Sequence, residues 1–272
     1  AGEHYRDNKA AGSEVKEYFS QAKYWAQQVK ESNIHDLVTP YSQVFMDLSQ
    51  DKYNSTGVRE SIWEAEMAGN RTNSPNYSAG RVGNTFGFGS TVDFSSSTTY
   101  QNETGMKNPG YSYRFSYASL KLYDIYEAAG DTERGNWNIA PYEYEYGTGS
   151  PTPVIGRLYY EGRRPAGLDF VDGMPCTDYA VDPAQNKNKT RSSAQFRREH
   201  EVVTPKNKNY TPINFPIIRY SDVLLMLAEA DNEVSGGPTA LAYECINLVR
   251  NRAGLNDLPT MGQGEFREAI KD

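Results

Sequence analysis

The sequence is organised around NFPIIRYSDVLLMLAEADNEV, residues 214–234, and ALAYECINLVRNRAGL, residues 240–255. Pro216 disfavours helical backbone at the residue before it. Ser221 then offers a side-chain oxygen that could cap a helix start, and Asp222 adds negative charge where a helix N-terminus favours it. Apolar side chains occur nearly all round the next two turns, which is typical of a helix packed between neighbours. The first stretch therefore predicts a central helix that begins close to Ser221.

A strong stop signal separates this helix from a second one. Residues 235–237 read Ser-Gly-Gly, which gives the backbone freedom of a helix C-cap, and Pro238 can open the next helix. The second helix has one apolar stripe at helical spacing, formed by Leu241, Cys245, Leu248, Val249 and Arg252. Gly254 closes it. The pattern predicts a helical hairpin close to the roughly 34 residues of a tetratricopeptide-type helix pair, which needs stacked neighbours to cover its apolar face.

The hairpin residues resemble the signature of the SusD (RagB/SusD) family. Weaker resemblance follows in the family's order, in SIWEAEM at 61–67, SLKLYDIYEAAGDTERGNW at 119–137 and FRREHEV at 196–202. With the helical periodicity, the resemblance implies a mainly α fold, in which tetratricopeptide-like hairpins carry long loops and a few short β-strands. Family members are usually longer, so we expect a fragment that lacks the N-terminal part and the C-terminal end.

The resemblance also implies a role. Family members are surface lipoproteins of Bacteroidota that capture nutrients, usually glycans, and pass them to a TonB-dependent (SusC-like) outer-membrane transporter. The expected partners are therefore an oligosaccharide or other nutrient and that transporter. The expected location is the outer-membrane surface, with membrane contact only through a lipid anchor outside residues 1–272. No cofactor is implied.

The composition excludes other classes of protein. A net charge of −7 and scattered basic residues argue against a nucleic-acid surface. No apolar run approaches the roughly 20 residues of a membrane-spanning helix. The two cysteines, Cys176 in a predicted loop and Cys245 on the apolar stripe, have neither metal-ligand spacing nor the pattern of a disulfide framework.

Three segments follow along the chain, and we expect them to form one structural unit. Residues 1–68 predict a scaffold with helices at 13–31 and 41–48 and a strand at 61–67. Residues 69–212 predict a loop-rich lobe with one helix at 119–129, a strand at 154–160 and a strand or short helix at 195–203. Residues 213–272 hold the hairpin and the start of a third helix near Gly264.

The lobe carries the candidate binding site. Tyrosine occurs 21 times, and from residue 69 to about 117 aromatic side chains sit in a stretch with almost no regular period. Long ordered loops are usually functional, and tyrosine suits a sugar because its ring covers C–H groups while its hydroxyl bonds to hydroxyls. The candidate ligand-binding residues are Tyr77, Arg81, Asn84, Phe86, Phe88, Tyr100, Asn102, Tyr111 and Tyr113. The alternative is that these rings pack on the scaffold and hold the loop in place.

A second aromatic cluster comprises Trp137 and the alternating Tyr142, Tyr144 and Tyr146. Alternation places the three tyrosines on one face of an extended segment, which favours a packed strand or an interface over a ligand site. Arg219, beside the central helix, could equally pair with an acidic scaffold residue or take a functional role.

Catalysis finds little support in the sequence. Glycoside hydrolysis needs two carboxylates at a fixed separation, but nothing selects a pair among the 35 Asp and Glu residues. His4, His35 and His200 lack metal-ligand spacing and are expected at the surface, so no metal is assigned. The sequence predicts a non-catalytic protein that binds nutrient glycans. The alternatives are a helical protein-interaction scaffold without ligand binding and, third, a glycoside hydrolase.

Overall fold

A computed structural model describes residues 12–52, 57–69, 79–87, 89–90, 109–113, 115–146, 155–179 and 191–271. Helices dominate the described ranges, together with short strands and one 3₁₀ turn at Arg198–His200. The helices are α1 Gly12–Glu31, α2 Tyr41–Ser49, α3 Val82–Phe86, α4 Leu120–Ala129, α5 Thr132–Asn138, α6 Tyr220–Ser235, α7 Ala240–Arg252 and α8 Gln263–Lys271. The strands are β1 Ser61–Ala65, β2 Tyr142–Tyr146, β3 Ile155–Tyr159, β4 Phe170–Val171, β5 Met174–Asp178 and β6 Phe215–Arg219. The predicted mainly helical class is confirmed.

The chain divides into two compact units. Unit 1 comprises residues 1–44, 53–64 and 216–272, and unit 2 comprises residues 45–52 and 65–215. Strands β1 and β6 form a two-stranded sheet, and a four-stranded sheet in unit 2 has the order β2-β3-β5-β4. The predicted association of the three segments in one structural unit stays a prediction.

The first helix of the hairpin in unit 1 begins one residue earlier than the sequence predicts. Arg219 is the N-cap residue, and its backbone N–H donates a hydrogen bond of 2.8 Å to the carboxylate of Asp222. Ser221 is buried, and its hydroxyl oxygen has no hydrogen-bond partner among the described residues. The predicted Ser221 cap is therefore wrong, because Asp222 supplies the interaction. The C-terminal stop is confirmed, since Gly236 adopts the left-handed conformation with a φ of 74°.

The second helix of the hairpin, α7, buries a stripe that shares Cys245 and Val249 with the predicted one. Thr239 caps it by accepting a hydrogen bond from the Leu241 N–H at 3.2 Å. Its buried residues are Ala242, Cys245, Ile246 and Val249. Leu248, which the predicted stripe includes, is 42% exposed. The prediction was wrong at Leu248 and left out the buried Ala242 and Ile246. Alanine is small and only weakly apolar, so Ala242 did not mark the buried face clearly.

Helices α1 and α8 complete the packing around the hairpin. Phe19 and Ala26 of α1 are buried, and Lys23 forms an ion pair with the buried Asp231 of α6 at 2.7 Å. Phe266 of α8 is fully buried against Tyr243 of α7, with ring centroids 5.1 Å apart. These neighbours cover both sides of α6. The expectation that the hairpin is one member of a stacked helical array agrees with this arrangement.

Glu60 ties the elements of unit 1 together. Its carboxylate is 1% exposed and accepts hydrogen bonds from Arg219 Nη1 at 2.9 Å, Arg252 Nη1 at 2.8 Å and the Val38 N–H at 2.8 Å. Its backbone carbonyl accepts from the Tyr220 N–H at 2.8 Å. Of the two roles that the sequence leaves open for Arg219, the structure therefore supports pairing with an acidic scaffold residue.

The sheet of unit 2 contains two strands that the sequence analysis missed. Strand β3 pairs antiparallel with β2 and parallel with β5, and β4 and β5 form a hairpin. Val171 is paired with Met174, so Asp172 and Gly173 form a two-residue turn, and both have positive φ values of 50° and 77°. Such turns favour Asp-Gly. Cys176, predicted in a loop, lies buried on β5 because this hairpin places it there.

Trp137, Tyr142 and Tyr144 of the second aromatic cluster pack into the core of unit 2, as one of its two predicted interpretations requires. Tyr142 and Tyr144 of β2 are buried, and the ring of Tyr142 lies 4.8 Å from that of its cross-strand partner Tyr159. Trp137 belongs to α5, a short helix that the sequence analysis placed in a loop. Its indole N–H donates to the Gln195 carbonyl at 3.1 Å. This cluster therefore stabilises the lobe.

Candidate functional site

Four aromatic residues at alternate positions form a row on unit 2, here called the aromatic row: Tyr111, Tyr113, Phe115 and Tyr117. Phe115 is 67% exposed and Tyr117 is 59% exposed, whereas the first two are half-buried. Ser112, between the first two rings, is buried. This alternation is the period of an extended chain, in which successive side chains point to opposite faces. The buried Ser112 and the exposed rings of Phe115 and Tyr117 follow this period.

The first three rings of the aromatic row contact one another. Tyr113 and Phe115 are stacked with centroids 5.1 Å apart and planes 3° from parallel, and Tyr111 meets Tyr113 edge-on at 4.8 Å. The Tyr113 hydroxyl donates to the Asn209 side-chain oxygen at 2.6 Å, and the Lys208 ammonium lies 4.9 Å from the centroid of the Tyr111 ring. These contacts fix the rings of Tyr111 and Tyr113 in place and put polar groups beside them.

Hydrogen bonds on the inner side hold the row in place. The Ser112 hydroxyl donates to the carbonyls of Asn84 at 3.0 Å and Gly87 at 3.2 Å, and the Tyr113 N–H donates to the same Asn84 carbonyl at 3.1 Å. The Arg198 guanidinium donates to the Tyr111 carbonyl at 2.6 Å. The backbone of the row is therefore anchored to α3 and to the 3₁₀ turn.

The structure separates the predicted site residues into three groups. Tyr111 and Tyr113 lie in the aromatic row, and Arg81 and Phe86 lie exposed on or beside α3, with Phe86 39% exposed. Asn84 is fully buried and donates to the carbonyls of Lys208 and Tyr111 at 2.8 and 3.4 Å, which gives it a supporting role instead of the predicted hydroxyl contact. The remaining predicted residues, Tyr77, Phe88, Tyr100 and Asn102, lie outside the described residues.

The backbone of Phe86 lies close to the backbone of the row. The Ser193 hydroxyl is 3.4 Å from both the Phe86 carbonyl and the Ser116 carbonyl. The Arg81 guanidinium lies 5.9 Å from the centroid of the Tyr210 ring. Phe115 and Tyr117 were missed by the sequence analysis. The signal that could have found them is the alternation of aromatic residues, which continues past Tyr113 to Tyr117.

A pocket of about 300 Å³ also lies in unit 2. Its lining combines aromatic, charged and apolar side chains: Met46, Pro109, Trp137, Tyr142, Tyr144, Arg157, Asp172, Met174, Arg197, Glu199 and His200. Pro109 stands two residues before the first ring of the aromatic row. The volume is at the lower end of the range for small-molecule sites, which suits a group the size of one sugar ring.

Glu199 organises the charges in this pocket. Its carboxylate accepts hydrogen bonds from the hydroxyls of Tyr142 at 3.3 Å and Tyr144 at 2.6 Å and from Arg157 Nη2 at 3.0 Å. The Arg157 guanidinium lies 4.6 Å from the Tyr142 ring centroid, and that of Arg197 lies 3.8 Å from the Trp137 centroid. Both cations are therefore stacked on rings as well as hydrogen-bonded.

Electrostatics keep this network in one protonation state near neutral pH. Burial raises the pKa of Glu199, but the charges of Arg157 and Arg197 outweigh it, so the pKa is lowered overall. Burial lowers the pKa of His200 in spite of the neighbouring Glu199, which favours a neutral imidazole. Burial also raises the pKa of Tyr144 well above its usual value. The pocket thus offers a carboxylate, guanidinium groups and neutral hydroxyls for hydrogen bonding.

Within the described ranges, no three or more His, Cys, Asp or Glu side chains converge in a way that could hold a metal ion. None of the helices in those ranges combines the length and apolar content that crossing a lipid bilayer requires.

Comparison with known families identifies the chain. The model of the SusD family matches residues 59–272, which is well over half of the sequence. The chain belongs to the SusD family. A comparison of this SusD-family chain with curated protein sequences found no match.

Solved structures share the fold of this SusD-family chain. A SusD homologue from Bacteroides thetaiotaomicron VPI-5482 matches with a TM-score of 0.66 and 24% identity, over 93% of this chain and 44% of its own. A SusD superfamily protein from Parabacteroides distasonis ATCC 8503 matches with a TM-score of 0.55 and 18% identity, over 94% and 43%. Surface glycan-binding protein A from Bacteroides thetaiotaomicron, in complex with laminarihexaose, matches with a TM-score of 0.54 and 18% identity, over 95% and 48%. The chain therefore spans less than half the length of these structures.

Proposed function

We propose that this SusD-family protein binds nutrient glycans through the aromatic row and does not cleave them. The observation that carries the proposal is the exposure of Phe115 and Tyr117 at alternate positions beside the stacked ring of Tyr113. A solvent-exposed run of aromatic rings is costly unless a ligand covers it, and it matches the C–H faces of successive sugar rings. Phe86 and Arg81 extend this surface on the side of α3.

The expected affinity follows from the area of the rings. A ring that removes roughly 50 Å² of apolar surface from water contributes on the order of 1 kcal/mol. Three or four such rings reach about −4 kcal/mol, which corresponds to roughly millimolar binding. Weak binding of this kind suits capture followed by release.

The pocket around Glu199 supports a polar half of the same site. A sugar presents hydroxyl groups at its rim, and the carboxylate and guanidinium groups of the pocket are fixed by the tyrosines beneath them. Pro109 brings the pocket lining to within two residues of Tyr111. The solved relative whose complex contains laminarihexaose supports a glycan as the ligand class.

The charge state of Glu199 supports binding without catalysis. A glycoside hydrolase needs a carboxylic acid whose pKa is raised, so that it holds a proton for the leaving group. The pKa of Glu199 is lowered instead, because Arg157 and Arg197 outweigh its burial. We therefore favour a binding protein over the glycosidase alternative.

The cellular role is the further part of the proposal. We infer that the protein acts at the outer-membrane surface, where a lipid anchor holds the full-length protein, and that it delivers bound oligosaccharide to a TonB-dependent, SusC-like transporter. Membership of the SusD family supports this role. The transporter would be the protein partner.

A glycan array followed by calorimetry tests the binding proposal. Phe115→Ala should weaken binding of any positive glycan roughly fivefold, since one ring contributes about 1 kcal/mol. Trp25→Ala is the matched control, because Trp25 is also 67% exposed but lies on α1 in unit 1. Equal loss in both variants, or no loss in Phe115→Ala, would refute the assignment of the site. Release of reducing sugar from the bound glycan would refute the non-catalytic role.

A further inference from the structure

A second, smaller cavity of about 90 Å³ lies in unit 2 beside helices α4 and α5. Its lining consists of Tyr123, Tyr126, Glu127, Gly130, Asp131, Thr132, Gly135, Asn136, Ile139, Arg163 and Arg191. It shares none of these residues with the Glu199 pocket or with the aromatic row. Two of the lining residues are arginines, and their surroundings differ.

Arg191 is a buried cation with few partners. It is 3% exposed, and its Nη1 lies 3.5 Å from the Ala140 carbonyl, which is a long hydrogen bond. Its buried Nε–H has no acceptor among the described residues, and it forms no ion pair with any of them. The rings of Tyr123 and Tyr160 lie 4.8 and 5.7 Å from the guanidinium carbon. A guanidinium has five N–H donors, so most of its donor capacity is unused by the described protein groups.

The carboxylates of the cavity are already engaged by other arginines. Glu127 pairs with Arg163, and the buried Asp131 pairs with Arg134 and accepts its backbone N–H at 3.0 Å. Burial, with a smaller contribution from the nearby charge of Arg163, lowers the pKa of Arg191 to about 10, and Tyr123, Tyr160 and Glu127 offset only part of this shift. Arg191 therefore stays positively charged at neutral pH in a site where its charge is poorly compensated.

Arg163 stands at the more open side of the same cavity and is held in a fixed position. Its Nη1 donates to the Asn136 side-chain oxygen at 3.3 Å, and its Nη2 donates to the Tyr123 hydroxyl at 3.2 Å. Its side chain is 18% exposed, which leaves a route for solvent. The guanidinium carbons of Arg163 and Arg191 lie 5.8 and 4.8 Å from the centroid of the Tyr123 ring. Because both cations line the cavity, an anion inside it would be favoured electrostatically.

We propose that this cavity is a binding site for a compact oxyanion, a carboxylate or sulfate group, held by Arg191 and Arg163. A buried charge needs a partner of opposite sign, and planar guanidinium groups bind oxyanions through paired hydrogen bonds. The volume of about 90 Å³ is several times that of one water molecule and accommodates one such group. The group could be a free ion or a substituent on an acidic sugar; the second source rests on the proposed glycan function.

Thermal unfolding in sodium sulfate tests the site without any glycan. At equal ionic strength, sulfate should raise the Tm of the protein above its value in sodium chloride, and the rise should saturate. Arg163→Gln should weaken the apparent sulfate affinity about tenfold or more, because a hydrogen bond to a charged group is lost. Arg164→Gln is the matched control: Arg164 pairs with Asp169 and Asp178 outside the cavity and should leave the affinity unchanged.

Arg191→Met keeps the test informative if Arg163 has a structural role. The variant replaces a poorly compensated buried charge by an apolar side chain of similar length. Its Tm in chloride should therefore be unchanged or higher, and the rise of the Tm in sulfate should disappear. An equal rise in sulfate and chloride, or an unchanged sulfate affinity in both cavity variants, would overturn the proposal.

Two sugars distinguish the sources of the oxyanion. The oxyanion would be assigned to acidic glycans by two results together. Methyl glucuronide should bind and lose affinity in Arg163→Gln, and methyl glucoside should not bind at the cavity. Binding of sulfate without methyl glucuronide would assign a free ion, and either result supports an oxyanion site. Equal, Arg163-dependent binding of both sugars would refute it. Phe115→Ala should leave the sulfate response unchanged, so failure of the glycan site is distinguishable from failure of this one.

Discussion

Arg252 donates a hydrogen bond of 2.8 Å to Glu60, although the two residues are 192 positions apart in the sequence. Arg219 donates to the other carboxylate oxygen, so one buried anion receives a cation from the end of the hairpin and another from its beginning. Local sequence cannot specify such a contact, but it joins the segment around β1 to α6 and α7. The ion pair therefore reports on the assembly of unit 1 as a whole.

Replacing Glu60 by glutamine should strongly destabilise unit 1. The neutral amide leaves Arg252, whose side chain is 4% exposed, buried without its counter-ion, and breaking a buried pair costs about 3–5 kcal/mol. Urea unfolding followed by circular dichroism measures the change. Glu268→Gln is the control, since its pair with Lys271 is exposed and should cost less than about 1 kcal/mol. Similar losses in both variants would contradict the importance of the buried pair.

Leu227→Ala should test the packing of the hairpin. Leu227 is fully buried in the core of unit 1, and truncation to alanine should lower the free energy of unfolding by about 2–5 kcal/mol, because it leaves a cavity. The adjacent Met226 is 50% exposed, so Met226→Ala should cost far less. Chemical denaturation of the two variants side by side gives the comparison. If the two costs were equal, the face of α6 that packs against α1 and α7 would be assigned wrongly.

The two glycines that end α6 should respond differently to alanine. Gly236 has a φ of 74°, in the left-handed region that costs an alanine about 1 kcal/mol or more, although its added Cβ would meet no atom within 4 Å. Gly237 has equally open surroundings but a φ outside that region. Gly236→Ala should therefore lower the Tm, while Gly237→Ala should leave it unchanged or raise it slightly. Calorimetric scans that show the reverse order would contradict the cap geometry.

Glu199 should make the stability of unit 2 sensitive to acid. Its folded-state pKa is lowered, so the unfolded chain binds the proton more readily and stability is lost as the pH falls below about 4.5. At pH 7 the variant Glu199→Gln should be about 3 kcal/mol less stable, because Arg157 loses its partner. The difference from the unmodified protein should shrink as the pH drops towards 3.

Urea titrations at several pH values measure this difference. A constant difference across the range would show that the ionised carboxylate is not the stabilising form. Asp124→Asn, at an exposed position on α4 in the same unit, is the control and should give a small difference at every pH.

The long, strongly periodic elements of this fold could be predicted from the sequence. The helices of the hairpin have both a repeating apolar pattern and an end signal such as Gly236, and each is within a residue or two of its predicted bounds. Helix α4 likewise follows from its apolar spacing and from the caps at Ser119 and Gly130. Local propensity and tertiary packing agree in these segments, which is why pattern alone sufficed.

Short elements held by distant contacts could not be predicted in this way. Helix α5 has seven residues with a glycine inside it, and Trp137 is fixed by contacts with Arg197 and the Gln195 carbonyl, about 60 positions away. Strands β4 and β5 are too short for a clear alternation, although the Asp172-Gly173 pair that joins them is a recognisable hairpin signal.

The candidate site was partly accessible to sequence reasoning. The density of aromatic residues pointed to Tyr111 and Tyr113, whose binding role stays a prediction. The sequence of a long loop does not distinguish exposed side chains from buried supports such as Asn84. That distinction depends on Ser112 and its hydrogen bonds to α3. Neither Arg191 nor Glu199 stood out, because their significance comes from burial and from partners distant in sequence.

In the aromatic row, the residue that anchors the backbone differs from the residues whose side chains are exposed to solvent. Ser112 carries the tie to α3, while Phe115 and Tyr117 carry exposed surface and little of the internal bonding. Under the proposed function, the outward side chains can therefore be exchanged one at a time, to suit flatter, bulkier or more charged saccharides, while the anchoring residues keep the lobe in place. Diversification of specificity among such lobes would need only point substitutions at every second position.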